Sequence, residues 1–283
     1  MKSKSLIITL IVVLSCFVVA LTGGLIFLLF RIDNFDFSFN FNDSSMELVD
    51  SIETNEVNRI YLNLSSTDVF IKKSENDKVI VEYYSNREKN PIISYSDNII
   101  SIDEDKYRDE YDSKCFVFCN INRKIVLYVP FDFENIIDIN AKSGDIRSDI
   151  DLSKNNVKFS TMSGDVFLGN VSDIDIKTVS GDVSLEKAFN LNVSTTSGDI
   201  KIKSVSNMVN LNTVSGDVLI NSLDIKDESS IKTVSGDVTI SNNEGNCYID
   251  FKTTSGDERI SRSDRKSDIV LKVRTTSGDI SVD

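Results

Sequence analysis

The chain contains no histidine and no tryptophan, and only two of its 283 residues are proline. Without histidine, a serine or cysteine nucleophile lacks its most common general base, and zinc loses a frequent ligand. The sequence also has no Gly-x-Ser-x-Gly elbow and no phosphate-binding glycine loop. These absences predict a protein that is not an enzyme and that uses no cofactor.

Basic residues are also in short supply. The formal net charge is -13, and because only Lys2 and Lys4 precede the first apolar run, 29 of the 31 basic and all 44 acidic residues follow it. Binding to nucleic acid or to anionic lipid depends on clustered Lys and Arg. Nucleic acid is therefore excluded as a predicted partner.

Cysteine is rare, with Cys16 inside the apolar run, Cys115 and Cys119 close together, and Cys247 alone. On one straight strand, Cys115 and Cys119 would lie about 13 Å apart, so a disulfide between them requires a bulge or a turn. A zinc site would need two further ligands. We expect buried or idle thiols.

The longest apolar run, residues 6–30, has 25 residues and no charge. About 20 such residues suffice for a transmembrane helix. Lys2 and Lys4 precede the run, which places residues 1–5 in the cytoplasm and the C-terminal part outside the cell membrane, as a single-pass protein. A cleaved signal peptide and a lipoprotein box at Val13–Cys16 are the alternatives, and the length of the run speaks against both.

Residues 31–55 follow the run and are predicted to form a juxtamembrane spacer. Positions 35–42 alternate phenylalanine with polar residues. This alternation also fits an edge strand or side chains resting in the membrane interface.

The strongest signal is an internal repeat of the tripeptide Ser-Gly-Asp, which occurs eight times. The glycines, predicted to be structural turn residues because a tight corner demands backbone freedom, are Gly144, Gly164, Gly181, Gly198, Gly216, Gly236, Gly256 and Gly278. Such regular recurrence is typical of a stacked repeat architecture.

Apolar residues around each tripeptide keep the period of a strand, as with Ile174 and Ile176 before Gly181 and Val183 and Leu185 after it. Each repeat therefore predicts a strand, a corner and a second strand, with a short third side marked by Val171, Ala188, Val205 and Leu223. The fold class is predicted to be all-β: a single-stranded β-solenoid of about eight coils over residues 135–283, preceded by one transmembrane helix. At a spacing of about 4.8 Å per coil, the rod would be roughly 38 Å long.

Residues 56–134 are predicted to be an N-terminal β cap containing one degenerate coil, in which Thr67 takes the place of the glycine. The opposite end looks different, because Ser277-Gly278-Asp279 lies four residues from the C-terminus. We expect an open edge there. Either charged residues blunt it, namely Arg259, Arg262, Arg265, Lys266 and Arg274, or it docks a second copy or another partner.

The aspartates of the tripeptides are predicted to form one outward column, and they are Asp145, Asp165, Asp182, Asp199, Asp217, Asp237, Asp257 and Asp279. Neighbouring carboxylates about 4.8 Å apart repel by about 1 kcal/mol in water. One interpretation is that each Asp accepts a hydrogen bond from a turn amide. The other is a weak column of calcium sites, although the nine-residue calcium-binding repeat is absent.

Thr-Val-Ser-Gly-Asp-Val occurs three times, at residues 178–183, 213–218 and 233–238. With these coils, the degenerate lead-in and the N-terminal span, residues 56–283 resemble the bacterial putative adhesin family, a domain family of unknown function. The resemblance implies a cell-envelope protein, with envelope-stress response as an expected setting, and it supplies no catalytic residues. Glu258 departs from the pattern, since other coils place Val or Ile there, and predicts a local bulge.

The leading hypothesis is thus a membrane-anchored, extracytoplasmic binding, adhesion or scaffolding module. Its expected partners are the membrane through residues 6–30 and a cell-wall polymer or an envelope protein. One alternative is a β-helix scaffold that polymerises by self-association through the C-terminal edge. The other is a polysaccharide-active enzyme, since paired carboxylates are abundant.

Overall fold

The computed structural model describes residues 46–86, 92–107, 122–148, 150–243 and 246–283. These residues form strands and one short 3₁₀ helix, Glu104–Tyr107, so the predicted all-β class is confirmed. The strands before the first Ser-Gly-Asp corner are β1 (Glu47–Thr54), β2 (Arg59–Ser66), β3 (Asp68–Lys73), β4 (Val79–Ser85), β5 (Ile93–Ser96), β6 (Ile99–Asp103), β7 (Arg123–Val129) and β8 (Ile136–Ser143).

The remaining strands build the regular coils. They are β9 (Ile146–Ser148), β10 (Leu152–Ser163), β11 (Val166–Ser180), β12 (Val183–Ser194), β13 (Ile200–Asn212), β14 (Val218–Leu223), β15 (Ser229–Lys232), β16 (Val238–Ile240), β17 (Tyr248–Lys252), β18 (Glu258–Ile260), β19 (Val270–Arg274) and β20 (Ile280–Val282).

The residues before each corner form the first side of the solenoid and those after it the second side. In the middle coils β11, β12 and β13 each run from one corner onto the first side of the next coil. Equivalent strands of neighbouring coils pair in parallel, for example Val183 with Ile200 and Leu185 with Ile202. Because side chains alternate along a strand, every second residue enters the interior, and the in-register apolar residues stack into buried ladders. The predicted β-solenoid is therefore the observed architecture.

The short third side is also present where the sequence indicated it. Val171 pairs with Ala188, and Ala188 with Val205. The ladder then continues through Leu223 to Asn243, which is fully buried. Asn243 ends this ladder with its amide donating to the carbonyl of Arg262, 3.2 Å away, so the buried polar group is satisfied.

The coils do not stack in the order of the sequence at the C-terminal end. β19 and β20, the last strands of the chain, pair with β15 and β16 on one side and with β17 and β18 on the other. The C-terminal coil is therefore enclosed, and residues 248–260 form the outer coil. The prediction that Ser277-Gly278-Asp279 borders an open edge is wrong, because both coils carry the same pattern and either can stack on the preceding one.

Side chains of the same region cover part of the outer coil's edge. The outward N–H groups of Ile249 and Thr253 donate to Ser263 Oγ and to Glu258 Oε1, both at 3.0 Å. β18 pairs with β20 in unbroken register, so the bulge expected at Glu258 is absent. The Glu258 carboxylate instead accepts the hydrogen bond from Thr253, the residue directly after β17. Of the charged residues expected to blunt the edge, Arg259, Arg262, Arg265 and Lys266 are exposed and Arg274 is half-buried.

The N-terminal end shows a similar rearrangement. The degenerate coil, β2 and β3, lies between the first Ser-Gly-Asp coil and an outer layer made by β6 and β7. Antiparallel strands then cover this layer, since β5 pairs with β6, β4 with β7, and β1 with β4. Of the two ends, only the N-terminal one is closed by further strands within the described residues.

Several predicted features lie outside the described residues: the apolar run 6–30, the alternating segment 35–42, and Cys16, Cys115 and Cys119. Within the described residues no helix is long and apolar enough to span a membrane. The transmembrane segment, its orientation and the state of these cysteines stay predictions.

Candidate functional site

The Ser-Gly-Asp corners form one continuous edge of the solenoid, and their glycines are packed directly on one another. A Cβ built on Gly164, Gly181 or Gly198 would lie 2.1 Å from the carbonyl oxygen of the neighbouring corner glycine. Only at Gly144, where φ is 127°, does the backbone itself lie well inside the region that favours glycine. At most corners, close stacking of the coils explains the glycine better than the backbone freedom that we expected.

Among the described corners, Thr67 is the only residue at the glycine position that has a side chain, and its surroundings explain how the side chain fits. Its carbonyl oxygen lies under Gly144, at 2.3 Å from where a Cβ on that glycine would be. The Thr67 hydroxyl donates to Glu104 Oε1, in the layer beyond, where the chain enters the 3₁₀ helix instead of a Ser-Gly-Asp corner. The degenerate coil can thus accommodate a Cβ that the regular coils cannot.

Glu104 is buried beneath this corner and accepts three hydrogen bonds. Besides the Thr67 hydroxyl, the Ser65 N–H donates to Oε2 at 2.6 Å and the Tyr83 hydroxyl donates to Oε1 at 3.0 Å. A buried carboxylate is tolerated when hydrogen bonds replace its lost hydration. Glu104 therefore ties the corner to the N-terminal cap.

The aspartates form the outward column that the sequence predicted, and they are linked by hydrogen bonds. The backbone N–H of each aspartate donates to Oδ1 of the aspartate in the preceding coil, at 2.7–3.0 Å. In spatial order the column is Asp68, Asp145, Asp165, Asp182, Asp199, Asp217, Asp237, Asp279 and Asp257. Asp68 was missed in the sequence because no glycine precedes it.

These bonds explain how like charges can be stacked. Each carboxylate accepts a hydrogen bond from an N–H group of the next coil rather than from its own Ser-Gly-Asp turn. Every one of these bonds therefore also joins two coils. The N–H of Asp217 is the main reason that the pKa of Asp199 lies below its usual range, followed by Lys201, whose Nζ is 3.3 Å from Asp199 Oδ2. The second ion pair of the column joins Asp145 and Arg147, whose side-chain atoms are 2.8 Å apart.

The calcium alternative stays a prediction. In the parts of the chain that the structure describes, no group of three or more Asp, Glu, Cys or His is arranged to hold a metal ion. One oxygen of each aspartate from Asp68 to Asp279 is already used by an amide, which leaves Oδ2 as the oxygen that a cation would meet.

A second column, which the sequence analysis missed, lies on the first side next to the corner. Met162, Val179, Val214 and Val234 each precede the serine of a corner and are 59%, 49%, 48% and 49% exposed. The stacked serines keep these positions in register from coil to coil. The valine of each Thr-Val-Ser-Gly-Asp-Val copy was the available signal, since it faces away from the core. We call these four residues the apolar column. Thr196 interrupts it between Val179 and Val214, and Thr276 and Thr254 take the same position in the two coils at its C-terminal end.

Open grooves flank the columns. One, of about 450 Å³, crosses the second side between Phe167 and Leu219. Another, of about 670 Å³, follows the corner from Asp68 to Asp165 and is bordered by Met46 and Lys124. Both grooves are open rather than enclosed, which fits contact with a surface better than enclosure of a small ligand.

A stacked parallel solenoid with one hydrogen-bonded acidic corner defines a repeat domain in which each coil contacts only its neighbours. The profile of the Toastrack DUF4097 family matches residues 57–283, and the chain belongs to this family. The resemblance drawn from the repeats is thereby confirmed.

Two solved structures resemble the chain more distantly. A putative adhesin from Bacteroides fragilis is 14% identical, with a TM-score of 0.49, and the match covers 82% of this chain and 96% of that one. A putative cell adhesion protein from Clostridium sporogenes is 15% identical, with a TM-score of 0.29, and the match covers 84% and 96%. No curated protein matches the chain significantly.

Proposed function

We propose that the chain is a membrane-anchored, extracytoplasmic and non-catalytic binding module of the cell envelope, which uses the flanks of its solenoid to hold a wall polymer or an envelope protein. The observation that carries the proposal is the uniform corner. The same aspartate and glycine recur coil after coil on an open surface, which suits an extended partner better than a small substrate. The uncharged run 6–30 supports the anchor.

The features of the two ends favour this module over an end-to-end polymer. Antiparallel strands close the N-terminal end, and Glu258 and Ser263 cap outward amides at the other. Growth by stacking needs a free edge on both ends of each copy. A role in envelope-stress response is part of the proposal through the family resemblance.

Protease accessibility of a tag after Asp283 tests the location. The C-terminal residue is exposed, so a tag there can extend into solvent. We expect cleavage on intact cells, with a cytoplasmic protein of the same cells remaining uncut as the control. Protection of the tag until lysis would reject the proposed topology and with it a role in holding wall polymers.

Binding itself is tested by sedimenting the purified full chain with isolated cell walls. Retention that falls when Asp182 and Asp217 are changed to Asn would support the corner as the binding surface. Retention that is equal for the variant, or absent for the unchanged chain, would contradict it.

A further inference from the structure

Beside the apolar column, on its side away from the corner, a third set of outward residues stands in register. It runs through Ser160, Lys177, Ser194, Asn212, Lys232, Arg274 and Lys252. We call it the cation column after its four basic members. In each coil the order across the surface is therefore cation column, apolar column, corner, aspartate.

In the part of the chain that the structure describes, several charges of these two outer columns form no ion pair. Within the described residues, Lys177, Lys232 and Lys252 form no ion pair, and Arg274 is paired only with Asp250. Among the corner aspartates, ion pairs are confined to Asp145 and Asp199. Residues of the apolar column and the corner serine and glycine separate the opposite charges, so they cannot meet within one coil.

We propose that the apolar column is the centre of a homodimer interface in which two solenoids lie side by side and parallel. A second copy is the partner that has the same coil spacing, so its side chains stay in step over the whole length. Four of the eight positions in this row are apolar and three are threonine, and exposed apolar residues that cluster in this way are typical of an interaction surface. The polar flanks would form its rim.

Charge selects the parallel arrangement. If the two rods ran antiparallel with their apolar columns in contact, each aspartate column would face the other and repel it. If they run parallel about a two-fold axis along the apolar columns, the aspartate column of one copy faces the cation column of the other. The heights also agree, because Lys177 and Asp182 belong to one coil, as do Lys232 and Asp237, and Lys252 and Asp257.

The extent of the surface is adequate. Eight coils at about 4.8 Å span roughly 38 Å, and three columns cover roughly 20 Å in width, or roughly 760 Å² on each copy. Stable interfaces bury about 800 Å² on each partner. The apolar column covers only the middle of this length. Lys142 takes the equivalent position at the N-terminal end and pairs with Asp105 at 2.6 Å, and Thr276 and Thr254 take it at the C-terminal end.

The oligomeric state of the full chain in detergent, measured by sedimentation over a range of concentrations, tests the proposal. We expect a dimer for the unchanged chain. Val214→Glu should abolish it, because a residue on the two-fold axis faces its own copy and the two new charges repel. Phe189→Glu is the matched control: Phe189 is 44% exposed, lies away from the first side, and its substitution should leave the dimer intact.

A charge exchange tests the pairing itself. Asp257 ends the column, so no further coil depends on its carboxylate, and it can be changed without losing a hydrogen bond to the next coil. Lys252→Glu and Asp257→Lys should each weaken the dimer about tenfold, since an exposed pair is disrupted twice per dimer. The double variant should restore it.

Three results would overturn the inference. The first is a monomer at every concentration. The second is an equal loss or an equal retention of the dimer in Val214→Glu and Phe189→Glu, which would place the contact elsewhere, such as in residues 6–30. The third is a double variant at Lys252 and Asp257 that dimerises no better than the single variants.

Discussion

Replacing Gly198 with alanine should loosen the stack at one defined level. The new Cβ would lie 2.1 Å from the carbonyl oxygen of Gly181 and 2.7 Å from its carbonyl carbon, and both are backbone atoms. Since a carbon and an oxygen normally stay about 3.4 Å apart or more, the two coils must separate by roughly 1 Å at the corner. The substitution therefore acts on the bonds between the coils rather than on one side chain.

Four hydrogen bonds join the two coils at this corner. They are Ser197 N–H to Val179 O, Gly181 N–H to Ser197 O, Val183 N–H to Asp199 O, and Asp199 N–H to Asp182 Oδ1, at 2.8, 3.2, 2.9 and 2.9 Å. At about 1 kcal/mol each, loss of two to four of them lowers the free energy of unfolding by about 2–4 kcal/mol. For a domain of this size, Tm should fall by roughly 5–15 °C.

Thermal unfolding followed by circular dichroism measures this effect. Ser197→Ala is the control, because it changes the adjacent residue of the same corner, whose side chain is exposed. We expect its Tm to stay near that of the unchanged chain. If the Gly198→Ala variant had the same Tm as Ser197→Ala, the argument that the short distance between stacked coils requires glycine at this position would be refuted.

Three further predictions concern ionisable groups. Burial raises the pKa of the Cys247 thiol to about 11, so at pH 8 its peptide should escape alkylation in the native chain and react after denaturation, as mass spectrometry can show. The Tyr84 hydroxyl donates to Glu82 at 2.8 Å, which raises its pKa to about 12, and Glu82→Gln should bring the ultraviolet titration of Tyr84 down toward pH 10. Because the pKa of Asp199 is lower in the folded chain, its ionised carboxylate stabilises the fold at pH values above the pKa of an unfolded Asp, about 3.9. This stability is lost as pH falls through the lower folded value. Asp199→Asn should therefore flatten the decline of Tm below about pH 4, and an unchanged decline would contradict this role.

The sequence predicted the coils themselves well, because two independent periods coincide. Alternation placed Ile174, Ile176, Val183 and Leu185 in the interior, and all are buried. The tripeptide marked each corner, and Thr67 was correctly recognised as a glycine equivalent, since its carbonyl lies under Gly144.

The order of the coils at the two ends could not be read in the same way. Periodicity identifies which residues form a coil but not which coil is its neighbour, and the coils that contain Gly256 and Gly278 have the same pattern. The hydrogen-bond partner of each aspartate carboxylate could not be predicted either, because the N–H group that donates to it belongs to another coil. The valines of the apolar column recur in the sequence, but whether they are exposed depends on which face of the strand points to solvent.

The enclosed C-terminal coil gives the molecule a distinct final step of assembly. During synthesis, residues 248–260 are completed before residues 269–283, yet the later segment must lie between them and the coil of Ser229–Lys232. A chain without residues 269–283 would lack this layer, and the backbone N–H and C=O groups of the two coils that flank it would be unpaired or forced into a new register. Residues 269–283 are thus the segment that attaches the outer coil, residues 248–260, to the rest of the stack.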